Sequence, residues 1–98
     1  MNLKWVPIKD IERALERAQS EGEFTEVAFI FDTLERRAKI LREAVGCIQC
    51  GIVRPAKGNA DKIALDYVET EKALAHAGKI LNSMFAGMQQ SIDRLQVN

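Results

Sequence analysis

Apolar residues recur along this chain at steps of three and four rather than two, which is the spacing of helices and not of strands. Ile8, Ile11, Leu15 and Ala18 form the first such series, with Lys9, Glu12, Arg13, Glu16 and Arg17 between them. That arrangement puts one apolar stripe on a helix. Pro7 suits the first helical turn, where its missing N–H is not needed. The pattern predicts a short amphipathic helix over residues 8–20, ending near residues 20–22.

The second series has the clearest periodicity. Phe24, Val27, Phe31, Leu34, Ala38, Leu41, Val45 and Ile48 step by three and four without a break, and no Gly or Pro interrupts residues 23–45. This is the a/d spacing of a coiled-coil seam held for more than three heptads. A period near 3.5 keeps the stripe facing one neighbour along its whole length. It predicts a helix over residues 24–50.

Residues 51–59 break the pattern with Gly51, Pro55 and Gly58. Gly51 is a natural C-terminal cap, and Pro55 drives Arg54 out of the helical region. Asn59 or Asp61 is expected to cap the next helix. A third series then runs through Ile63, Tyr67, Thr70, Leu74, Ala77, Leu81, Met84, Met88, Ser91 and Leu95, widened by Ala64, Ile80, Phe85 and Ile92. It predicts a helix over residues 60–96. Gly78 and Gly87 each cost about 1 kcal/mol in a helix interior, or else let another helix approach closely.

Two matching seams joined by a short loop make a long antiparallel helical hairpin. At 1.5 Å per residue the rods are about 40 and 55 Å long, and folding at the loop sets Phe24 opposite Phe85. Met88, Ile92 and Leu95 then overhang the second helix. The first helix, about 20 Å long, is expected to cover that overhang and close a bundle. Phe29, Ile30, Ile40 and Ala44 lie off the main seam and lack a partner within the hairpin. This surplus predicts a homodimer: a two-fold helical bundle with a four-helix core and the first helices at its ends.

Composition agrees with an all-α chain. The 98 residues suffice for a single domain, residues 1–98, and are 47% hydrophobic and 29% charged, with only six glycines and two prolines. The start carries no apolar signal-peptide core, and no stretch approaches the roughly 18 uninterrupted apolar residues of a membrane span. The expectation is a cytoplasmic protein with no membrane contact, its Cys47 and Cys50 reduced. Trp5 and Val6 are expected to pack as a small extended arm.

Candidate chemistry changes the picture little. Cys47 and Cys50 have the spacing of a half zinc site, but tetrahedral coordination needs four ligands and His76 is the only histidine. A dimer would have to supply the second pair. The redox version of this motif sits at a helix N-terminus, whereas this pair falls at a predicted C-terminus, where the dipole disfavours thiolate. Two small residues finishing a helix is the favoured reading. His76 has Lys72 and Ile80 at i±4, so no ligand face forms. Asp66, Glu69, Glu71 and Asp93 fall off the seam and read as solvated charges. No catalytic residues, cofactor or metal are expected, and the chain is read as not an enzyme. Met84, Phe85 and Met88 resemble an adaptable partner-binding cluster, although at seam spacing ordinary core is favoured.

Fourteen basic residues balance fourteen acidic ones, which argues mildly against a nucleic-acid binder. The balance is uneven, however. Residues 36–62 carry Arg36, Arg37, Lys39, Arg42, Arg54, Lys57 and Lys62 against only Glu43 and Asp61. Acids at the start of the second helix and bases toward its end also match its dipole. The first functional expectation is a homodimeric protein–protein interaction module (adaptor, inhibitor or small chaperone) using Phe29, Ile30 and Ile40. The alternative is a nucleic-acid-associated regulator binding anions through Arg36, Arg37, Lys39 and Arg42 at the loop end.

Overall fold

The computed structural model describes residues 6–52 and 54–96. They form three α-helices, α1 (Ile8–Ser20), α2 (Phe24–Gln49) and α3 (Asn59–Gln96), and no strand occurs among the described residues. The expected extents 8–20, 24–50 and 60–96 agree with these to within a residue. Val6 is described and exposed, whereas Trp5, the other half of the expected N-terminal arm, lies outside the described residues.

Local chemistry explains where each helix begins and ends. Pro7 stands at the cap of α1, one step earlier than expected, and its carbonyl accepts the N–H groups of Asp10 at 2.9 Å and Ile11 at 3.2 Å. Both α1 and α2 finish on a glycine in the left-handed region, Gly22 at φ 69° and Gly51 at φ 75°. In each the two N–H groups beyond the helix turn back onto its last carbonyls. Gly22 donates to Gln19 and Glu23 to Ala18 in one; Gly51 donates to Ile48 and Ile52 to Cys47 in the other. This is the Schellman arrangement, which a side chain with a Cβ adopts only under strain. At α3 the helix opens at Asn59, one residue earlier than expected. Asn59 is already helical, and the carbonyl of Gly58 accepts Lys62 N–H at 3.3 Å.

Helices α2 and α3 pair antiparallel along the length of α2. Phe31 lies over Gly78, with its Cε1 3.3 Å from where a Cβ on that glycine would stand, and Arg42 reaches Tyr67. Both pairs keep the register that sets Phe24 opposite Phe85. Gly78 therefore admits a close neighbour, as expected for it. Gly87 does not, since nothing lies within 4 Å of the corresponding point.

The position of α1 departs from expectation. Its connection to α2 is a tight turn at residues 21–23, which returns the chain antiparallel to itself. α1 therefore lies back along the first half of α2 and the middle of α3, away from the α3 C-terminus. Ile8, Leu15 and Ala18 of α1 join Val27, Ile30 and Leu34 of α2 and Ala73, Ala77 and Ile80 of α3 in one buried cluster. α1 neither covers the overhang nor stands at the end of the hairpin. The molecule is correspondingly long, 63 × 24 × 23 Å, with a radius of gyration of 17.3 Å against about 13 Å for a compact chain of this size. Among the described residues, no helix is long and apolar enough to cross a membrane.

Candidate functional site

Docking α1 into the groove of the hairpin widens the buried face of α2 beyond its a/d seam. Beside the buried seam residues Val27, Leu34, Ala38 and Leu41, the off-seam Ile30 and Arg37 are buried as well. Ile30 is therefore core rather than surplus surface. Arg37 is also interior, only 7% exposed. Its Nη2 donates to Asp66 Oδ1 at 2.6 Å and its Nη1 to the Val6 carbonyl at 2.7 Å. The ion pair thus ties α2 to α3 and both to the segment leading into α1. Asp66 is not the solvated charge its place off the seam implied.

The remaining basic candidates stay on the surface but largely matched. Arg36 pairs with Asp32 at 3.1 Å, with both side chains exposed. Arg42 Nε donates to the Tyr67 hydroxyl at 3.4 Å, and its Nη2 reaches Glu71 Oε1 at 3.4 Å. The hydrogen bond to Tyr67 chiefly, and Glu71 secondarily, raise the Arg42 guanidinium pKa above its ordinary value. Tyr67 itself is half-buried. Lys39 is exposed. An open groove beside these residues is lined by Glu35, Arg36, Lys39, Arg42, Glu43 and Leu74. Two carboxylates among three cations leave it little net attraction for an anion. Of the four expected basic residues, Arg36, Lys39 and Arg42 line this one groove, whereas Arg37 lies in the interior.

Neither cysteine nor His76 gains a chemical setting. Cys47 is half-buried and Cys50 exposed at the end of α2, both as free thiols, and His76 is exposed on α3. Among the described residues, no group of three or more His, Cys, Asp or Glu side chains is placed to hold a metal ion. Asp93 accepts a hydrogen bond from Gln89 one turn away, and Glu69 is exposed.

Exposed apolar surface is the feature that stands out. Phe29 (66% exposed) and Ile40 (49%) stay open on the flank of α2, as their off-seam positions implied. A larger feature lies at the end of α3. Its core-facing stripe, buried at Ala73, Ala77 and Ile80 and half-buried at Leu81 and Met84, runs on past the ends of α1 and α2. There Phe85 (56%), Met88 (42%), Ile92 (47%) and Leu95 (77%) are exposed. Phe85 and Met88 are thus not ordinary core, because α2 begins at the level of Phe85 and Met88 lies a turn beyond it. This segment, residues 85–96, projects for about 18 Å.

The chain matches no protein-family model, no curated protein and no solved structure.

Proposed function

We propose that the protein is a non-enzymatic helical interaction module that acts as a homodimer and, in that form, binds a protein partner as adaptor, inhibitor or small chaperone. One observation carries this reading: the apolar stripe of α3 leaves the body at Phe85 and runs exposed to Leu95. In water a helical segment shorter than about 12–15 residues is marginal without tertiary packing. As the extension of a packed helix these three turns need no new nucleus, but their apolar face gains from cover by a second surface. Fully burying a Leu, Ile, Met or Phe side chain contributes about 1.5–3 kcal/mol, and these four are only half-covered. Phe29 and Ile40, exposed on one flank of α2, offer a separate edge for a different protein.

The non-enzymatic part rests on the sequence, which offers no nucleophile–base pair and no full ligand set. Cytoplasmic residence with reduced cysteines is part of the same reading. The anion-binding alternative draws less support, because Arg37 is spent on Asp66 and Arg42 on Tyr67 and Glu71.

Light scattering over a dilution series, with reductant present, tests the proposal. Twice the 11.0 kDa chain mass at tens of micromolar, declining on dilution, is the expected result. A mass of one chain at every concentration removes the homodimer. Salt-sensitive binding of a random-sequence oligonucleotide, lost when Arg36, Lys39 and Arg42 are changed to Ala, would favour the alternative.

A further inference from the structure

We infer that residues 85–96 of α3 pair antiparallel with the same segment of a second copy, about a two-fold axis at the level of residue 90. This rests on the homodimer reading above and specifies its geometry. Three observations support it.

The first is the symmetry of the stripe. Phe85, Met88, Ile92 and Leu95 are separated by steps of three, four and three. That spacing reads the same in both directions, so an antiparallel copy sets Phe85 beside the partner's Leu95 and Met88 beside the partner's Ile92. These are the mixed a-to-d layers that an antiparallel pair of heptad seams requires.

The second is space. The exposed stripe continues the same face of α3 that holds α1 and α2. In a parallel pairing both copies of α1 and α2 would claim the gap between the two α3 helices. An antiparallel pairing puts the two bodies at opposite ends. The overlap then stops where each tip meets the partner's α1–α2 turn, since Phe24 stands at the level of Phe85.

The third is charge. The turn bears Glu21, Glu23 and Glu26, all exposed, and the tip bears Arg94. In the two-fold arrangement the partner's Arg94 falls at the level of Ala86, next to that acidic turn. Asp93, the other charge at the tip, accepts a hydrogen bond from Gln89 of its own helix and keeps its negative charge. Each of the four apolar side chains has on the order of 100 Å² left to cover. With flanking residues from both copies the interface approaches the roughly 1,000 Å² lower bound for specific association. A micromolar, readily dissociating dimer is the corresponding expectation.

Cross-linking tests the geometry in a chain with Cys47→Ser and Cys50→Ser. Two single-cysteine versions, Met88→Cys and Ile92→Cys, are mixed, one of them labelled with nitrogen-15, and their mass is measured before oxidation. The pairing predicts a dimer that oxidises to the mixed species at least tenfold faster than to either like pair. In the two-fold arrangement like residues are four positions apart along the axis, beyond disulfide reach. A dimer that forms like pairs as readily, or no disulfide, overturns this pairing and leaves the homodimer reading intact. A monomer before oxidation, in these chains and in the unsubstituted protein, overturns both.

Discussion

Replacing Asp66 by Ala probes the interior polar contact that joins all three helical segments. The Arg37 side chain is 8% exposed and the Asp66 side chain 31%, with the two atoms 2.6 Å apart. Removing one partner of a fully buried pair costs about 3–5 kcal/mol, because the remaining charge is left in a poorly solvated place. Water reaches Asp66 from one side, and Arg37 keeps its bond to the Val6 carbonyl. Both facts place the cost near the bottom of that range, about 3 kcal/mol. For a domain of this size each kcal/mol moves the melting temperature by about 4–8 °C, so Asp66→Ala should melt about 12–24 °C lower. The assay is urea and thermal unfolding followed by far-UV circular dichroism. It is run below the dimer dissociation constant, so that association does not add to the apparent stability. Arg37→Met combined with Asp66→Leu should recover to within about 1 kcal/mol of the parent, since apolar replacement of a buried pair is often neutral or better. A loss under about 1 kcal/mol for Asp66→Ala is what an exposed pair gives, and it would refute the assignment of this pair to the interior. A double variant as unstable as the single one would equally refute the coupling.

Further substitutions separate interior from surface effects. Thr70 is fully buried and its hydroxyl has no hydrogen-bond partner among the described residues, so Thr70→Val, close in shape, should raise stability by about 1 kcal/mol; a loss in chemical denaturation would show that the hydroxyl is satisfied. Arg36→Ala, which removes only the exposed pair with Asp32, should change stability by less than about 0.5 kcal/mol in the same assay. Gly46→Ala meets nothing within 4 Å and should gain close to the full helix-propensity difference of about 1 kcal/mol, whereas Gly78→Ala must displace Phe31 at 3.3 Å. Equal gains for the two in parallel melts would contradict the close packing of Phe31 on α3.

The helices and their register were legible in the sequence because each is set by local chemistry. Seams at steps of three and four, with glycines at positions 22, 51 and 58, fix where the rods begin, end and fold back. Once the fold-back point is known, helix rise alone gives the overhang beyond Phe85. The seat of α1 was not legible in the same way. A periodic pattern says that a helix has an apolar face, but not which groove receives it; the tight turn at residues 21–23 decides that. Ile30 and Arg37 were misread for the same reason. They lie just off the seam, Ile30 in the cluster that α1 completes and Arg37 against Asp66 and the Val6 carbonyl ahead of α1. The facing line on α3 runs through residues 66, 70, 73, 77 and 80. An Arg just off the one seam and an Asp at the loop end of the other line was the available sign of an interior pair. A single charged residue, by contrast, is ordinarily a surface residue.

Concentration-dependent amide hydrogen exchange of residues 85–96 tests most directly whether this segment is the assembling surface. Unpartnered, these turns should fray from the C-terminal end and exchange much faster than the packed body. The account predicts that their protection rises with protein concentration in step with the measured dimer fraction. Amides of the monomer core around Val27, Leu34 and Ala77 should remain strongly protected throughout. Fast exchange of residues 85–96 at concentrations where the protein is dimeric would contradict it, and would move the interface elsewhere on the molecule.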